Sequence, residues 1–417
     1  MISPKKLNAG SLQLVTFVIV VIALLLGCFI LLVHTQKQYR VKTYLLKDTI
    51  QNTDKGILYV LEHNNINQDS LEIVTDENLS LKLKTELWGT YQKVGVVSKL
   101  KNFKYKKTAL IGAKQEIDNT VLYLKDNNKP LVLVGNTRIK GNSSLPEQGA
   151  KSGNISGISF NGNRFIEGKV DISKQFPKLS FQTRSYIQNI QSIYDSDKSL
   201  ENFKIKLGSS VSNSFENETL VSVSSDAIYL EDISLIGNLV IQSYSKIVVS
   251  NTAKLKDVIL IAPKIEIEDN TTGSFQSFAT DHILVGNGCK LQYPSALALV
   301  KPFTDTFQEE HKILINTGSK LQGSIILLGR KERNNYNPQI VINPEVTVEG
   351  EVYCEQTLEL KGKVYGSVFT DSFIAIANGS YYQNHLLDAE INSAELEDEY
   401  IGLPLVNTKK GVAKWLY

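Results

Sequence analysis

Residues 246–286 read KIVVSNTAKLKDVILIAPKIEIEDNTTGSFQSFATDHILVG, and one pattern recurs through this stretch. A triplet with apolar first and third residues begins at Ile247, Ile265 and Ile283, so that 18 residues separate each triplet from the next. A short period of this kind is typical of a solenoid. Triplets of the same type begin outside the stretch at Ile228, Ile313, Ile340, Leu358 and Ile374.

The triplets predict strands that must stack on one another. Alternation directs the first and third side chains of a triplet to the same face of the strand. A single strand cannot bury that face alone, so each coil needs a neighbouring coil. Two longer steps between triplets contain insertions of loop character, Pro302–Asp305 and Arg330–Pro338.

Residues that tolerate sharp corners follow many of the triplets. Asn and Asp accept the left-handed backbone conformation that a tight corner requires. The sequence therefore predicts a mainly β protein in which residues 227–380 form a three-sided single-stranded β-helix of about 18 residues per coil. A β-sandwich with strands at similar spacing is the alternative. The corner residues are Asp232, Asn251, Asp269, Asn287 and Asn378.

The repeat is most regular in Val346–Thr370, VTVEGEVYCEQTLELKGKVYGSVFT, where Val or Leu recurs every six residues. Its phrase LELKGKVYGSVF resembles the coil repeats of the bactofilins, a family of polymer-forming bacterial β-helix scaffolds. The resemblance covers about Ile313–Ser380. It implies a β-helix whose role is structural and which forms polymers.

An apolar segment near the N-terminus predicts a membrane anchor. Leu12–Val33 contains no charged residue, and its 22 residues, at about 1.5 Å each, span roughly the 30 Å hydrocarbon core. We expect a single uncleaved transmembrane helix that contacts the lipid bilayer through residues 12–33. The predicted location is the bacterial inner membrane, with the β-helix outside the cytoplasm. Basic residues flank the segment on both sides and do not decide its orientation.

The apolar spacing of residues 34–63 predicts that this helix continues as an amphipathic stalk. A hydrophobic N-terminal helix leading into a small β-containing head resembles the layout of type IV pilins and pseudopilins. The junction Gly10–Val15, GSLQLV, is similar to a prepilin cleavage site. Val15 stands where those proteins carry an acidic residue.

The remaining segments have less regular patterns. Alternating apolar residues in Asn64–Asn128 predict an antiparallel sheet packed on the stalk. Leu131–Ser173 repeats the coil pattern and would begin the solenoid early. The polar segment Gln175–Glu218 would be a partly helical insertion or a cap over the open end, and the tail ending at Tyr417 would plug the last coil or dock to a partner.

The predicted organisation is a tail at 1–11, a transmembrane helix at 12–33, a stalk at 34–64, a small β region at 65–128, early coils with a cap or insertion at 129–226, the β-helix at 227–380 and a C-terminal cap or tail at 381–417.

Composition and motifs limit the function. A net charge of +2 gives no electrostatic reason to expect a nucleic-acid partner. Cys28, Cys289 and Cys354 lie far apart and have neither metal-ligand nor disulfide-scaffold spacing. The sequence contains no HExxH motif and no Gly-x-Ser-x-Gly motif. We therefore predict no catalytic residues, no cofactor and no metal site.

Stacking suggests one candidate binding surface. The residues just before four successive triplets are Lys246, Lys264, His282 and Lys312, which would stand about 4.8 Å apart in one column. Like charges at this distance repel, and either a bound anion or nearby acids such as Glu266 and Glu268 would relieve the repulsion. The column is either a solvated row that protects an edge or a shallow site for an acidic polymer.

These patterns together predict a non-enzymatic, membrane-anchored scaffold or binding module of the bacterial cell envelope. The candidate partners are cell-wall or acidic polysaccharide, another protein, or further copies of the chain. A carbohydrate-active β-helix enzyme is one alternative, and it would need paired carboxylates. A cytoplasmic, bactofilin-like polymer is the other.

Overall fold

The structure is a computed structural model that describes residues 9–63, 71–76, 79–114, 120–196, 201–206, 208–301, 312–329 and 335–416. The predicted loop 302–305, residues 330–334 of the second predicted loop and Tyr417 lie outside these residues. The chain divides into two compact units. The first contains Met1–Leu58, Ser70–Leu83 and Val96–Lys106, and the second contains Tyr59–Asp69, Lys84–Gly95 and Lys107–Tyr417.

One helix, α1 (Ala9–Glu62), contains both the predicted membrane segment and the predicted stalk. The large apolar side chains from Leu12 to Val33 are exposed. The helix is long and apolar enough to cross a membrane once. Buried side chains on α1 begin only later, at Thr49, Thr53 and Ile57, which recur at helical spacing on one face.

In the first unit, α1 packs against the parts of a sheet that lie in Ser70–Leu83 and Val96–Lys106. Strands β1 (Leu71–Asp76), β2 (Leu79–Trp88), β3 (Tyr91–Leu100) and β4 (Phe103–Lys114) are neighbours in chain order. Their short connections permit only antiparallel pairing. A Cβ added to Gly56 would lie 2.6 Å from Cγ1 of Val96, so the helix and the sheet are in close contact there.

The second unit consists largely of short strands. The first group is β5 (Thr120–Leu124), β6 (Leu131–Val134), β7 (Arg138–Lys140), β8 (Asn142–Leu145), β9 (Ala150–Ser152), β10 (Asn154–Ile155), β11 (Ile158–Ser159) and β12 (Val170–Ile172), followed by helix α2 (Phe181–Ser196).

The next strands are β13 (Glu201–Asn202), β14 (Ser210–Asn213), β15 (Leu220–Ser224), β16 (Ile228–Leu230), β17 (Ser234–Ser243), β18 (Lys246–Val249), β19 (Lys254–Ile261), β20 (Lys264–Ile267), β21 (Thr272–Ala279), β22 (His282–Val285), β23 (Lys290–Val300), β24 (Lys312–Ile315), β25 (Lys320–Leu328), β26 (Ile340–Ile342), β27 (Thr347–Leu360) and β28 (Lys363–Ala377). The chain ends with β29 (Ser380–Gln383), β30 (His385–Leu387), β31 (Glu390–Asn392), a short 3-10 helix (Ser393–Glu395), β32 (Ile401–Gly402) and β33 (Lys410–Leu416).

The predicted triplets pair in one parallel column, which we call column 1. Each triplet is hydrogen-bonded to the next along the chain, and the pairing continues across both long insertions, which is not the antiparallel pairing of a sandwich. The register partners are Ile228, Ile247, Ile265, Ile283, Ile313, Ile340 and Leu358. The last triplet was misassigned by one residue, because Leu358 pairs with Phe373 and not with Ile374.

Two further parallel columns complete the stack. Column 2 contains Leu255, Gly273, Leu291, Leu321, Val348 and Val364 as successive partners. Column 3 contains the later parts of β17, β19, β21, β23, β25, β27 and β28. The inward side chains of the three columns form one continuous apolar cluster.

The corners only partly follow the predicted residues. Asp232 and Asn378 have φ angles of 48° and 51°, as the corner prediction requires. After two other triplets the left-handed residue comes one position later than predicted, at Asn270 and Gly288. Asn and Gly both tolerate this region, so the sequence identifies the corner but not its central residue.

The early coils, predicted to precede residue 227 in the stack, instead follow its last coil. Val368 of β28 pairs in parallel with Leu122 of β5. Beyond β5, column 3 continues to β8 and then β12. Column 2 continues in the same direction through β31 and β7. Next to column 1, β30, β6 and β9 form a separate parallel sheet, which begins where the Asn384 N–H donates to the carbonyl of Phe373.

Helix α2 lies along the side of the stack, whereas the sequence analysis suggested an insertion or a cap over its open end. Near the start of α2, Arg184 forms an ion pair with Glu355 of β27. At its other end, Asp195 accepts a hydrogen bond from Gln242 of β17. Between Arg184 and Asp195, the buried face of α2 packs against outward apolar side chains of column 3, on the side of the stack and not on its end. The residues in this cluster include Tyr186, Ile187, Ile190, Val240, Ile259, Phe278, Ala298 and Ile326.

The C-terminal tail also differs from its prediction as a plug. Strands β32 and β33 both pair antiparallel with β4. The stack therefore interrupts a sheet, because its residues lie in the chain between β4 and the strands that pair with β4. The Trp415 ring packs 5.2 Å from Nζ of Lys107, a cation–π distance.

Candidate functional site

The four residues proposed as a binding column are direct neighbours in column 1. Lys246 pairs with Lys264, Lys264 with His282, and His282 with Lys312. The alignment follows from the alternation of the triplets, because each residue occupies the same position relative to an inward isoleucine. The structure therefore brings together all four residues that the sequence suggested.

Acidic side chains already balance most of this column. Nζ of Lys246 lies 2.7 Å from a carboxylate oxygen of Glu266, and Nε2 of His282 lies 3.8 Å from the other. Nζ of Lys264 lies 3.5 Å from Asp281. Glu266 is one of the nearby acids expected from the sequence, whereas Asp281 is not. With these partners, the alignment of positive charges does not require a bound anion.

The adjacent column of outward residues does not supply the paired carboxylates of a glycosidase. Glu266 and Glu359 occupy the same register position, but Leu284, Leu314 and Val341 separate them. Glu359 is buried, 2.7 Å from Nζ of Lys361, and accepts a hydrogen bond from the backbone N–H of Ile376. This carboxylate therefore holds two neighbouring coils together.

A second basic row lies on column 2 and was missed by the sequence analysis. Two of its lysines have acidic partners, at 2.6 Å for Lys320 and Glu349 and at 3.8 Å for Lys363 and Glu390. The signal was present, because a lysine precedes the second apolar pair of several coils. The register partners along this row are Thr272, Lys290, Lys320, Thr347, Lys363, Glu390 and Arg138.

A cavity of about 330 Å³ lies where the C-terminal segment crosses column 2. The phenol groups in its wall are structural: Tyr293 donates to the carbonyl of Ile401 at 2.8 Å, and Tyr400 donates to that of Gly323 at 3.1 Å. Burial raises the pKa of both phenols above their ordinary value of 10, so both are protonated donors at neutral pH and well above it. The lining also includes Gln322, Glu349, Glu395, Leu396, Glu397 and Glu399.

Buried polar contacts fix the sheet and the stack to each other within the second unit. The Thr90 N–H donates to Oε1 of Gln276 at 2.8 Å, and Gln276 is itself buried in β21. The Leu403 N–H donates to Glu351 of β27 at 2.5 Å. Sequence patterns gave no sign of either contact, because each joins a loop or tail residue to a strand far away in the chain.

Comparisons with known proteins leave the family open. No protein-family model matches the chain, and no curated protein matches it. Among solved structures, the chain aligns with the competence-associated pilin ComZ from Thermus thermophilus, with 8% sequence identity and a TM-score of 0.18. The alignment covers 90% of this chain and 97% of that chain. A TM-score this low does not establish a common fold.

Proposed function

We propose that this protein is a membrane-anchored, non-enzymatic structural subunit of the bacterial cell envelope. In this proposal the N-terminal helix is the anchor, and the stacked strands form a three-sided β-helix of about 18 residues per coil. The observation that carries the proposal is α1 itself. One continuous helix has an apolar, exposed first half, and near its C-terminal end one face, which includes Thr49, Thr53 and Ile57, is buried against a sheet.

The β-helix interpretation rests on the pairing of the strands. In each of the three columns a strand pairs in parallel with the strand one coil later, and the inward side chains share one core. Lys246, Lys264 and His282 are successive register partners, and 18 residues separate each from the next, as the sequence predicts. Insertions change the spacing without breaking the pairing, as expected when loops leave a solenoid at its corners.

The structural role rests on how the stack is attached. The chain enters the stack after β4 and returns from it to pair with β4 again. Within the second unit, the buried contacts of Gln276 and Glu351 attach the stack to Thr90 and to the C-terminal segment at Leu403. Buried attachments of this kind suit a scaffold or a presented surface, whereas a lid or hinge would need a less stable attachment.

This organisation supports the pilin-like layout from the sequence over the bactofilin-like one. The C-terminal part of α1, around Gly56, packs on a sheet, as expected for a pilin-like head, and the residues of the stack lie in the chain between strands of that sheet. We interpret the column of Lys246, Lys264, His282 and Lys312 as a structural strip of the stack whose charges are largely balanced by acidic neighbours. This choice follows from the ion pairs of Glu266 and Asp281.

Membrane extraction tests the proposal. The wild-type protein should remain in the membrane fraction after alkaline carbonate washing. The double variant Leu24→Lys/Leu25→Lys should be released, because charges near the centre of a span are costly. Leu46→Lys, at an exposed position of the same helix beyond the apolar segment, is the matched control and should remain in the membrane. Release of the wild-type protein by carbonate would overturn the proposed anchor.

A further inference from the structure

The stack has one end that is covered and one that is open. At the end near residue 201, Phe203, Ile205 and Leu220 pack over the apolar core. At the opposite end, Phe160 and Ile166 cover part of the core. There the last strand, β12, leaves Val170 and Ile172 52% and 58% exposed.

The exposed side chains of β12 belong to core positions. Val170 is the register partner of Ser143, and Ile172 is the register partner of Leu145. Ser143 and Leu145 are 2% and 1% exposed, because β12 covers them. Val170 and Ile172 are exposed because no further coil covers them in the same way.

The backbone of β12 also has an open edge. Among the described residues β12 has register partners on β8 and none on its other side, and β13, the next strand in the chain, pairs instead with β15. The Ser143 N–H donates to the carbonyl of Lys169, and the Ser173 N–H donates to that of Leu145. In a parallel ladder alternate residues face alternate sides, so the N–H and C=O groups of Val170 and Ile172 face the open edge.

The surface around this edge is basic. Among residues 139–174 the exposed acids are Glu147, Glu167 and Asp171, and the exposed bases are more numerous. Two other apolar side chains at this end, Ile158 and Phe165, are 45% and 39% exposed. The exposed bases are Lys140, Lys151, Arg164, Lys169 and Lys174.

We propose that β12 accepts an extended strand from a partner protein, in which apolar residues alternate with acidic ones. Such a strand would hydrogen-bond to the open edge and place its apolar side chains over Val170 and Ile172. Its acidic side chains would face the basic residues of the last coils, where opposite charges attract. This partner site goes beyond the structural role proposed above, because it gives the scaffold a specific docking point.

Peptide binding to the full-length protein in detergent tests this site. The probe is a fluorescent, end-capped peptide of alternating Val and Glu, and binding is followed by fluorescence anisotropy. Ile172→Asp should weaken binding by at least about tenfold, through lost apolar contact and repulsion of the acids. A probe with Pro at its centre, or with Lys replacing Glu, should be weakened by a similar factor. The matched control is Ile236→Asp, whose residue is 39% exposed but lies on a strand with partners on both edges.

A charge variant keeps the test independent of folding at β12. Lys151→Glu/Lys169→Glu changes two exposed side chains and should also weaken the Val–Glu probe by at least about tenfold. Failure of the probe to bind the wild-type protein, or equal binding to Ile172→Asp, would overturn the proposal. Self-association of the wild-type protein that Ile172→Asp abolishes would overturn it too, because a second copy would then occupy the end. None of these results bears on the proposed membrane anchor, which the carbonate extraction tests separately.

Discussion

Leu122 and Val368 are direct partners in parallel register, although one lies before the stacked coils in sequence and the other lies in their last coil. Both side chains are fully buried. Their pairing joins two groups of coils into one stack with a continuous core. The chain therefore begins the stack in its interior, builds one end, and returns along α2 to build the other.

Leu122→Ala should destabilise this junction strongly. Removing a fully buried leucine side chain leaves a cavity and costs about 2–5 kcal/mol. The free energy of unfolding, measured by urea denaturation in detergent, should fall by that amount. Leu284→Ala is the matched control, because this side chain faces outward and is only partly buried, and its cost should be below about 1 kcal/mol. Equal losses for the two variants would show that the junction is not a core contact.

Gly350 should be intolerant of any side chain. Gly323, Gly350 and Gly366 are successive register partners at one corner, each with a φ between 142° and 146°. A Cβ on Gly350 would overlap the carbonyl oxygen of Gly323.

We therefore expect Gly350→Ala to lower the free energy of unfolding by about 2–4 kcal/mol. Gly379→Ala separates backbone strain from overlap, because Gly379 has a φ of 73° but open space around its Cβ position. That control should lose only about 1 kcal/mol. If it loses as much as Gly350→Ala, close packing at the corner is not the cause.

Arg184 should hold α2 against the stack. Its guanidinium makes two contacts with Glu355, one of them at 3.0 Å, and Glu355 also accepts from the Gly329 N–H at 3.0 Å. Arg184→Met should cost about 1–3 kcal/mol and speed amide exchange in α2, because a partly buried carboxylate loses its cation. Adding Glu355→Gln should restore part of the loss. Unchanged exchange in α2 after Arg184→Met would contradict this role.

His385 should make stability dependent on pH. Burial lowers its pKa below the ordinary value of 6.5, although a hydrogen bond to the carbonyl of Gln383 opposes this effect. The unfolded chain then binds a proton at a higher pH than the folded chain. Stability contributed by the neutral ring is complete above about pH 6.5 and is lost as the pH falls through the folded pKa.

The wild-type melting temperature should therefore decline between about pH 7 and pH 5. His385→Gln should show a smaller decline over the same range, because glutamine does not titrate. The melting temperature is measured at several pH values and constant ionic strength. An identical decline in the two proteins would exclude His385 as its source.

The sequence predicted the faces of the strands better than their partners. Ile247, Ile265 and Ile283 pair as expected, because alternation fixes which side chains must be buried together. The order of the coils was not predictable in this way. The period does not show whether a strand edge pairs with the next coil in the chain or with an earlier strand, as Val368 pairs with Leu122. The backbone edges of parallel strands are chemically alike in both cases.

The candidate column shows the same division. The alignment of Lys264 and His282 follows from their positions relative to the triplets. The ion pair between Lys264 and Asp281 could not be predicted from the triplets, because it depends on the backbone conformation of the corner before β22. The position of α2 was also beyond the pattern, since its partner Glu355 lies far away in the chain.

The most direct test of the proposed anchored scaffold is the accessibility of an introduced cysteine on the stack. Tyr229 is 64% exposed, and the variant Tyr229→Cys provides a reactive thiol there. The natural cysteines give little background: Cys28 lies in the apolar segment, and Cys289 and Cys354 are buried. Burial raises the pKa of the Cys354 thiol to about 12, so little thiolate is present to react.

A membrane-impermeant maleimide is added to intact spheroplasts and to detergent-permeabilised ones. The proposal predicts that Tyr229→Cys is labelled equally in both, while the wild-type protein stays unlabelled. Labelling of Tyr229→Cys only after the inner membrane is opened would contradict it. That result would place the stack in the cytoplasm, as expected for a bactofilin-like polymer.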